Sequence, residues 1–262
     1  MDKTYAILGS TGRCGNALME ILLAVPDARI NAFCRSRAKL NRQFPQIVEN
    51  KRVSIFEGSI NDLDLLKDCM RNCKVVFHVV ASNDNIPGYS IGLLVAQNIV
   101  AALEKLKSES AAGTRLPKIV LLSSCAHDEH LGQDMHWLFR PIMLTAASNV
   151  YADLHRAEDF LRSQGDWITT IFMKPGGLSM DTQRGHKLDM DHSETFISYL
   201  DLSAAMVEAA DDPDGLYDMK SVGIVNTNGA AKFPLGTPMC ILMGLVRHFF
   251  PFLHPYLPAT GP

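Results

Sequence analysis

Glycines at 9, 12 and 15 frame the stretch Gly9, Ser10, Thr11, Gly12, Arg13, Cys14, Gly15, which joins the apolar run 5–8 to a helix-patterned run from Asn16 onward. A strand that enters a helix through residues without side chains leaves backbone N–H groups facing outward at the helix's positive end, which suits a pyrophosphate. The spacing is GxxGxxG, one residue wider than the common dinucleotide fingerprint. Its position after the first strand is where doubly wound folds place the phosphates. Arg13 can reach a phosphate or simply solvate the first turn, because the helix dipole disfavours a cation there unless an anion is near. Cys14 reads as a small packing residue.

About twenty residues after the glycines, an acidic side chain would bind the ribose hydroxyls of NAD and repel a 2′-phosphate. The sequence has Arg35, Ser36 and Arg37 there instead. Guanidinium groups are planar, always charged and suited to bidentate phosphate binding, so NADP(H) is preferred over NAD(H). The plainer reading is that both arginines solvate a loop. Ser59 and Ile60, after the third apolar run, fall beside the adenine in this scheme, and Ala81 and Ser82, after the fourth, flank the ribose.

Two further stretches are rich in titratable groups. His127, His130 and His136 stand near Asp128, Glu129 and Asp134, a spacing that fits no closed zinc motif, so no metal is expected. Residues 181–194 carry Asp181, Arg184, His186, Lys187, Asp189, Asp191, His192 and Glu194. Among these, His186 is the candidate substrate-site acid or base.

The elements that must position these groups are legible in the hydrophobic pattern. Strand-length apolar runs at 5–9, 29–34, 53–57, 75–80, 118–123 and 167–174, with another near 222–226, alternate with helical patterns at 14–24, 62–71, 90–108, 149–163 and 200–210. Alternation of this kind predicts an α/β fold with a parallel sheet covered on both faces, and right-handed crossovers narrow it to a Rossmann-like doubly wound sheet.

The chain of 262 residues can bury one large core, divided here into a dinucleotide-binding part, 1–228, and an apolar, proline-rich tail, 229–262. A net charge of −3 with dispersed Lys and Arg leaves no footprint for nucleic acid. The six cysteines form no disulfide framework and suit a reducing compartment, and the chain opens directly on a strand, so a cytoplasmic address is expected. The tail's unbroken apolar run is well short of the ~20 residues that span a bilayer. Three roles remain for it: a cover over the pocket or core, a homodimer contact, or an interfacial membrane helix.

Taken together, the glycine stretch, Leu122-Ser123-Ser124, the segment Tyr151 to Glu158, Lys174-Pro175-Gly176-Gly177-Leu178, and Ile197 to Leu202 resemble the atypical short-chain dehydrogenase/reductases of the NmrA-like, NAD(P)-binding kind, including fungal oxidoreductases of secondary metabolism. The resemblance runs in order from about residue 4 to residue 228. In active members a serine positions the substrate carbonyl, a tyrosine donates or takes the proton, and a lysine four residues on lowers the tyrosine's pKa and holds the nicotinamide ribose. Ser124 and Tyr151 fall on the first two positions. The lysine is replaced by His155, a mostly neutral side chain near pH 7 that gives a phenol less electrostatic help than an ammonium. The resemblance also implies that Lys174, Pro175, Gly176 and Gly177 line the nicotinamide and substrate side, where the alternative is a simple turn.

The implied function is an NADP(H)-dependent oxidoreductase acting on a small apolar carbonyl or alcohol, aromatic or polyketide-like. Two alternatives stand beside it: a redox-neutral isomerase or cyclase using His155, Tyr151 or His186, and a regulatory protein that senses NADP(H).

Overall fold

The computed structural model describes residues 3–109 and 115–260. Strand β1 (Thr4–Leu8) is buried along its whole length, as expected of an unbroken apolar run in a parallel sheet. Its side chains alternate between two cores: Tyr5 and Ile7 face one, Ala6 and Leu8 the other. β1 pairs with β2 (Arg29–Cys34) on one side and β4 (Val75–His78) on the other, Tyr5 lying opposite both Ile30 and Val75. β3 (Val53–Glu57), β5 (Lys118–Leu122), β6 (Thr170–Met173), β8 (His186–Asp189) and β10 (Ser221–Asn226) complete an eight-stranded sheet of order β3-β2-β1-β4-β5-β6-β10-β8, while β7 (Leu178–Ser179) and β9 (Ile197–Ser198) form a small separate pair. All neighbours in the large sheet run parallel except β8, which is antiparallel to β10. Strand order reverses between β1 and β4, so a crevice opens at the carboxyl ends of those strands.

Helices α1 (Arg13–Ala24) and α7 (Tyr199–Asp211) pack together over one face, and α3 (Leu63–Met70), α4 (Ile91–Glu109) and α6 (Ser148–Ser163) over the other. The first face buries Leu18, Met19, Leu22, Ala205 and Met206; the second buries Leu66, Ile99, Leu103 and Leu161. Cys14 meets the Met206 sulfur at 4.0 Å, which fits its role as a small packing residue.

The structure departs from the sequence reading in several elements. β6 starts at Thr170 rather than 167, because Trp167 closes the turn that follows α6. β8 lies within the stretch read as a polar loop; Leu188 is its single buried residue, too little for an alternating pattern to show. Short α2 (Arg37–Gln43) likewise buries only Leu40.

Residues 229–260 carry a further helix and a 3₁₀ segment. α8 (Thr237–Phe249) docks on α5 (Phe139–Ala146), with Gly244 so close to the Ala146 carbonyl that any side chain there would collide. The Gly244 carbonyl accepts from Asn85 Nδ2 at 3.2 Å. Arg247, 1% exposed, donates to the Pro258 carbonyl at 2.6 Å and to His254 Nδ1 at 3.2 Å, and pairs with Asp84 at 3.2 Å. A basic residue in the last turn thus anchors the helix to the loop after β4. The outward side keeps Met239, Leu242 and Phe249 exposed. Among the described residues no helix is long and apolar enough to cross a membrane.

Candidate active site

β1 runs into Gly9, whose φ of +98° belongs to the left-handed region that glycine enters without strain. A Cβ there would sit 3.2 Å from the Val79 carbonyl oxygen, so the turn also lies close against the end of β4. Ser10 Oγ donates to the Phe33 carbonyl at 2.9 Å and Gly12 N–H to Gly9 O at 3.0 Å, which fixes the loop's path around Thr11. α1 starts with Gly12 at its N-cap, no side-chain cap and no acid in its first turn. By contrast, Asp62 caps α3 and Ser198 caps α7. The first-turn amides of α1 therefore keep outward donors, and an anion fits there.

The cradle depends on Gly15. A Cβ at this position would run into the Gly9 carbonyl oxygen and lie 2.8 Å from Ser10 Cα, both rigid backbone, whereas one on Gly12 would meet Gly9 O at 3.3 Å. Gly15→Ala is expected to cost about 1–3 kcal/mol of stability and to abolish dinucleotide uptake, Gly12→Ala much less. Thermal melting and titration calorimetry on the two variants check the difference, and equal behaviour would remove the packing argument.

The basic pair separates. Arg35 is exposed, with no carboxylate partner among the described residues. Arg37 turns back onto β3: its amide donates to Glu57 Oε1 at 2.9 Å, its Nη2 to the Ile55 carbonyl at 2.9 Å, and Nε lies 3.8 Å from Glu57 Oε2. The register that sets Cys34 opposite Glu57 causes this, and it corrects the expectation of two equivalent phosphate donors. Ser36 Oγ accepts from Lys39 N–H and caps α2. Ser59 Oγ accepts from the Asn61 amide, the Ile60 carbonyl accepts from Asn98, and beyond exposed Ala81 the Ser82 hydroxyl accepts from the Asp84 amide.

Past β5, Ser123 and Ser124 lead into a short 3₁₀ turn, Cys125–His127, whose start Ser124 caps by accepting from Ala126 N–H at 3.3 Å. The phenol of Tyr151 on α6 lies close enough to Ser124 for that hydroxyl to act on its ionisation. Burial pushes that phenol up to about 12 while the nearby Ser124 hydroxyl acts the other way, so Tyr151 is a protonated donor at neutral pH. His155 lies one turn further on. Its side chain is 68% exposed and Nε2 sits 3.5 Å from Asp159 Oδ2, a solvent-side pairing. His186 is on the edge strand β8, bonded through Nε2 to Glu208 on α7 at 2.8 Å. Three strand spacings, about 14 Å, separate β8 from β5. The four candidate catalytic residues thus do not form one cluster: Ser124 and Tyr151 meet, and His186 stands apart.

Lys174 also departs from expectation. Its ammonium is 2.8 Å from both Asp128 Oδ2 and Glu158 Oε2 and its side chain 4% exposed, so it is committed inward rather than toward a cofactor. The Pro175 carbonyl accepts from Cys125 N–H at 3.0 Å. Gly176 and Gly177 lie under residues 194–196, where a Cβ on Gly176 would strike Thr195 and one on Gly177 the Phe196 ring.

Sequence reasoning missed the group beneath the hydroxyl pair. Glu158 Oε1 bonds His127 Nε2 at 2.9 Å and accepts from Ser123 Oγ at 2.5 Å. Glu158 is seven residues after Tyr151, hence on the same helix face, and that spacing was the available signal. Opposite, at the start of α7, burial raises the Tyr199 phenol while the nearby Arg13 lowers it. α8 is tied to the start of α6 by the bond between His248 Nδ1 and Ser148 Oγ at 2.7 Å. A cleft of about 830 Å³ borders the Gly176–Gly177 turn, walled by Met135, Phe139, Phe196 and Phe233. Among the described residues no three His, Cys, Asp or Glu side chains gather as a metal site.

A doubly wound parallel sheet with an uncapped, glycine-started helix at its switch point defines a dinucleotide-binding protein of the Rossmann type. Residues 9–213 match the model of the NAD(P)H-binding family, and the chain belongs to that family. It is 58% identical to "Oxidoreductase GME11367" of Pestalotiopsis microspora over 99% of each chain, 59% identical to "Oxidoreductase AgnL4" of Paecilomyces divaricatus over 99% of each, and 56% identical to "Oxidoreductase nsrR" of Aspergillus novofumigatus over 99% and 98%. A solved short-chain dehydrogenase/reductase from Veillonella parvula in complex with NADP shares the fold at a TM-score of 0.67 and 19% identity, covering 88% of this chain and 98% of its own. The protein is an oxidoreductase of the NAD(P)H-binding family.

Proposed function

We propose that the protein reduces or oxidises a small aromatic or polyketide-like carbonyl or alcohol with NADP(H). The observation that carries this is the Ser124–Tyr151 hydroxyl pair at the carboxyl end of β5, two strand spacings, about 10 Å, from the glycine turn of β1. When bound, the cofactor supplies or accepts the hydride. Gly9, Ser10, Thr11, Gly12, Arg13, Cys14 and Gly15 would hold its pyrophosphate, Arg35 and Ser36 its 2′-phosphate, Ser59 and Ile60 its adenine, and Ala81 and Ser82 its ribose. Tyr151 gives its proton to the substrate oxygen, and Ser124 holds that oxygen in line. The cleft walled by Phe139, Phe196 and Phe233 offers ring faces and edges to a flat substrate, whose polar groups would meet Asp134, His136, Asp189, His192 and Glu194 on the same lining; Ser124 and Tyr151 lie outside that lining.

Of the groups that the redox-neutral alternative could use, His155 is exposed and His186 stands on the edge strand bonded to Glu208, so that alternative would rest on Tyr151. The test is loss of NADPH absorbance on mixing enzyme with tetralone, naphthoquinone and hydroxyanthraquinone probes. Consumption with at least one is expected. NADPH binding with no consumption across the panel, alongside chemical change of a probe, would overturn the redox reading.

Cofactor choice gives a second check. Arg35→Ala is expected to weaken NADPH about tenfold or more, as loss of a charge-assisted phosphate bond does, and to leave NADH unchanged. Arg37→Ala should move NADPH far less, because that guanidinium serves β3. Equal losses in the two variants would count against the assignment.

A further inference from the structure

His127 is placed by three elements. The turn Cys125–His127 carries it, Glu158 of α6 bonds its Nε2 at 2.9 Å, and Ser123 at the end of β5 approaches the same nitrogen at 3.3 Å. Its side chain is 8% exposed. The other ring nitrogen, Nδ1, is buried with no hydrogen-bond partner. Buried polar atoms are rarely left unpaired without a reason, and a lone unpaired nitrogen on a carboxylate-clamped imidazole is an arrangement that serves proton transfer. The ring lies 5.5 Å, centroid to centroid, from that of Tyr151 at a tilt of 35°, and since Nδ1 makes no direct bond to the phenol, transfer between them runs through one bridging water.

We propose that His127, clamped by Glu158, restores the proton of Tyr151 after each turnover. The proposal rests on Tyr151 being the donor to substrate. As the substrate oxygen takes its proton, the Tyr151 Oη–H bond breaks and leaves a phenolate. His127 enters the step as the imidazolium: its Nδ1–H bond breaks, that proton passes through the bridging water to re-form the phenol, and the imidazole is left neutral with its Nε2–H still on Glu158. One proton taken up from the bulk solvent, the proton that the reduction consumes, restores the imidazolium. Glu158 remains ionised throughout, since Lys174 at 2.8 Å and the Ser123 hydroxyl hold its charge. Charged and titratable groups facing His127 are Glu158, Tyr151 and His155 on α6, with Arg162 3.9 Å from Glu158, and Lys174 just past the end of β6, itself paired with Asp128.

Two measurements test this on the full chain. In histidine-labelled protein, nitrogen NMR is expected to show His127 fixed with its proton on Nε2 when neutral, a preference lost in Glu158→Gln and a titration shifted by Tyr151→Phe. Unchanged His127 titration in Tyr151→Phe would overturn the proposal. In NADPH consumption with whichever probe the enzyme turns over, His127→Ala is expected to lower kcat about 100-fold at unchanged NADPH affinity, and added imidazole to recover at least tenfold. A variant that folds and binds NADPH yet keeps wild-type kcat, or whose loss imidazole does not restore, would assign His127 to structure alone. If the wild type consumes NADPH with no probe, the redox reading fails by itself and the NMR result still decides the coupling of His127 to Tyr151.

Discussion

Replacing Tyr151 with phenylalanine is expected to lower kcat for NADPH consumption about 100- to 10,000-fold, the range that a positioned acid contributes. The ring would remain, partly buried beside the small cluster of Tyr89, Val150 and Leu154, so packing is retained. Loss of the hydroxyl beside Ser124 is expected to cost no more than about 1 kcal/mol of stability. NADPH affinity should stay near wild type, because no contact of the glycine turn involves Tyr151. A group acting only in the transition state lowers kcat and kcat/KM together, and that pairing is the kinetic mark to look for. With the phenol raised to about 12 by burial, reduction should show no titration of Tyr151 through neutral pH. The raised pKa means the fold favours the neutral phenol, so its contribution to stability is full below about 10 and falls as pH rises toward 12. Ser124→Ala should cost less, since it orients the oxygen without supplying the proton. Wild-type turnover in Tyr151→Phe would remove the hydroxyl pair from the chemistry.

The fold was legible where burial on both faces writes continuous apolar runs. β1, β4 and β5 announce themselves this way, and the glycine turn follows from its position after β1. Elements that bury a single side chain leave little periodicity: Leu40 in α2 and Leu188 in β8 are cases. At the site, Ser124 and Tyr151 could be placed by motif because each sits at a fixed offset from a strand end or helix start. What spacing could not convey was the choice of partner. Arg37 looks as free as Arg35 until the β2–β3 register sets Glu57 beside it, and Lys174 looks like a cofactor ligand until Asp128 and Glu158 converge on it from separate elements. His127 was visible only as one histidine among three in a loop; the carboxylate that singles it out is thirty-one residues away.

Lys174→Met is expected to destabilise the protein by about 3–5 kcal/mol near neutral pH, because it takes the cation from between two carboxylates while keeping most of the side chain's packing. Glu158 would retain its bonds from His127 and Ser123, and Asp128 its backbone N–H bonds from His130 and Leu131, but neither would face a full positive charge at 2.8 Å. Burial by itself raises both carboxyls. For Glu158 the bond from His127 and the charge of Lys174 outweigh it, and for Asp128 the Lys174 bond and the Leu131 amide do so, leaving each held down at about 2. Carboxyls depressed in the folded state contribute stability that is present above their unfolded values, about 4, and is lost as pH falls toward 2. In the Met variant that depression largely disappears, so its deficit against wild type should be greatest at neutral pH and shrink as pH drops below about 4. Denaturant midpoints for both proteins at neutral and acid pH measure the deficit, and one that stays constant with pH would mean that the lysine contributes packing alone. Glu158→Gln should cost less than Lys174→Met, since Lys174 would keep Asp128 as a counter-charge, whereas without the lysine Asp128 has no cation beside it and Glu158 keeps only Arg162, at 3.9 Å.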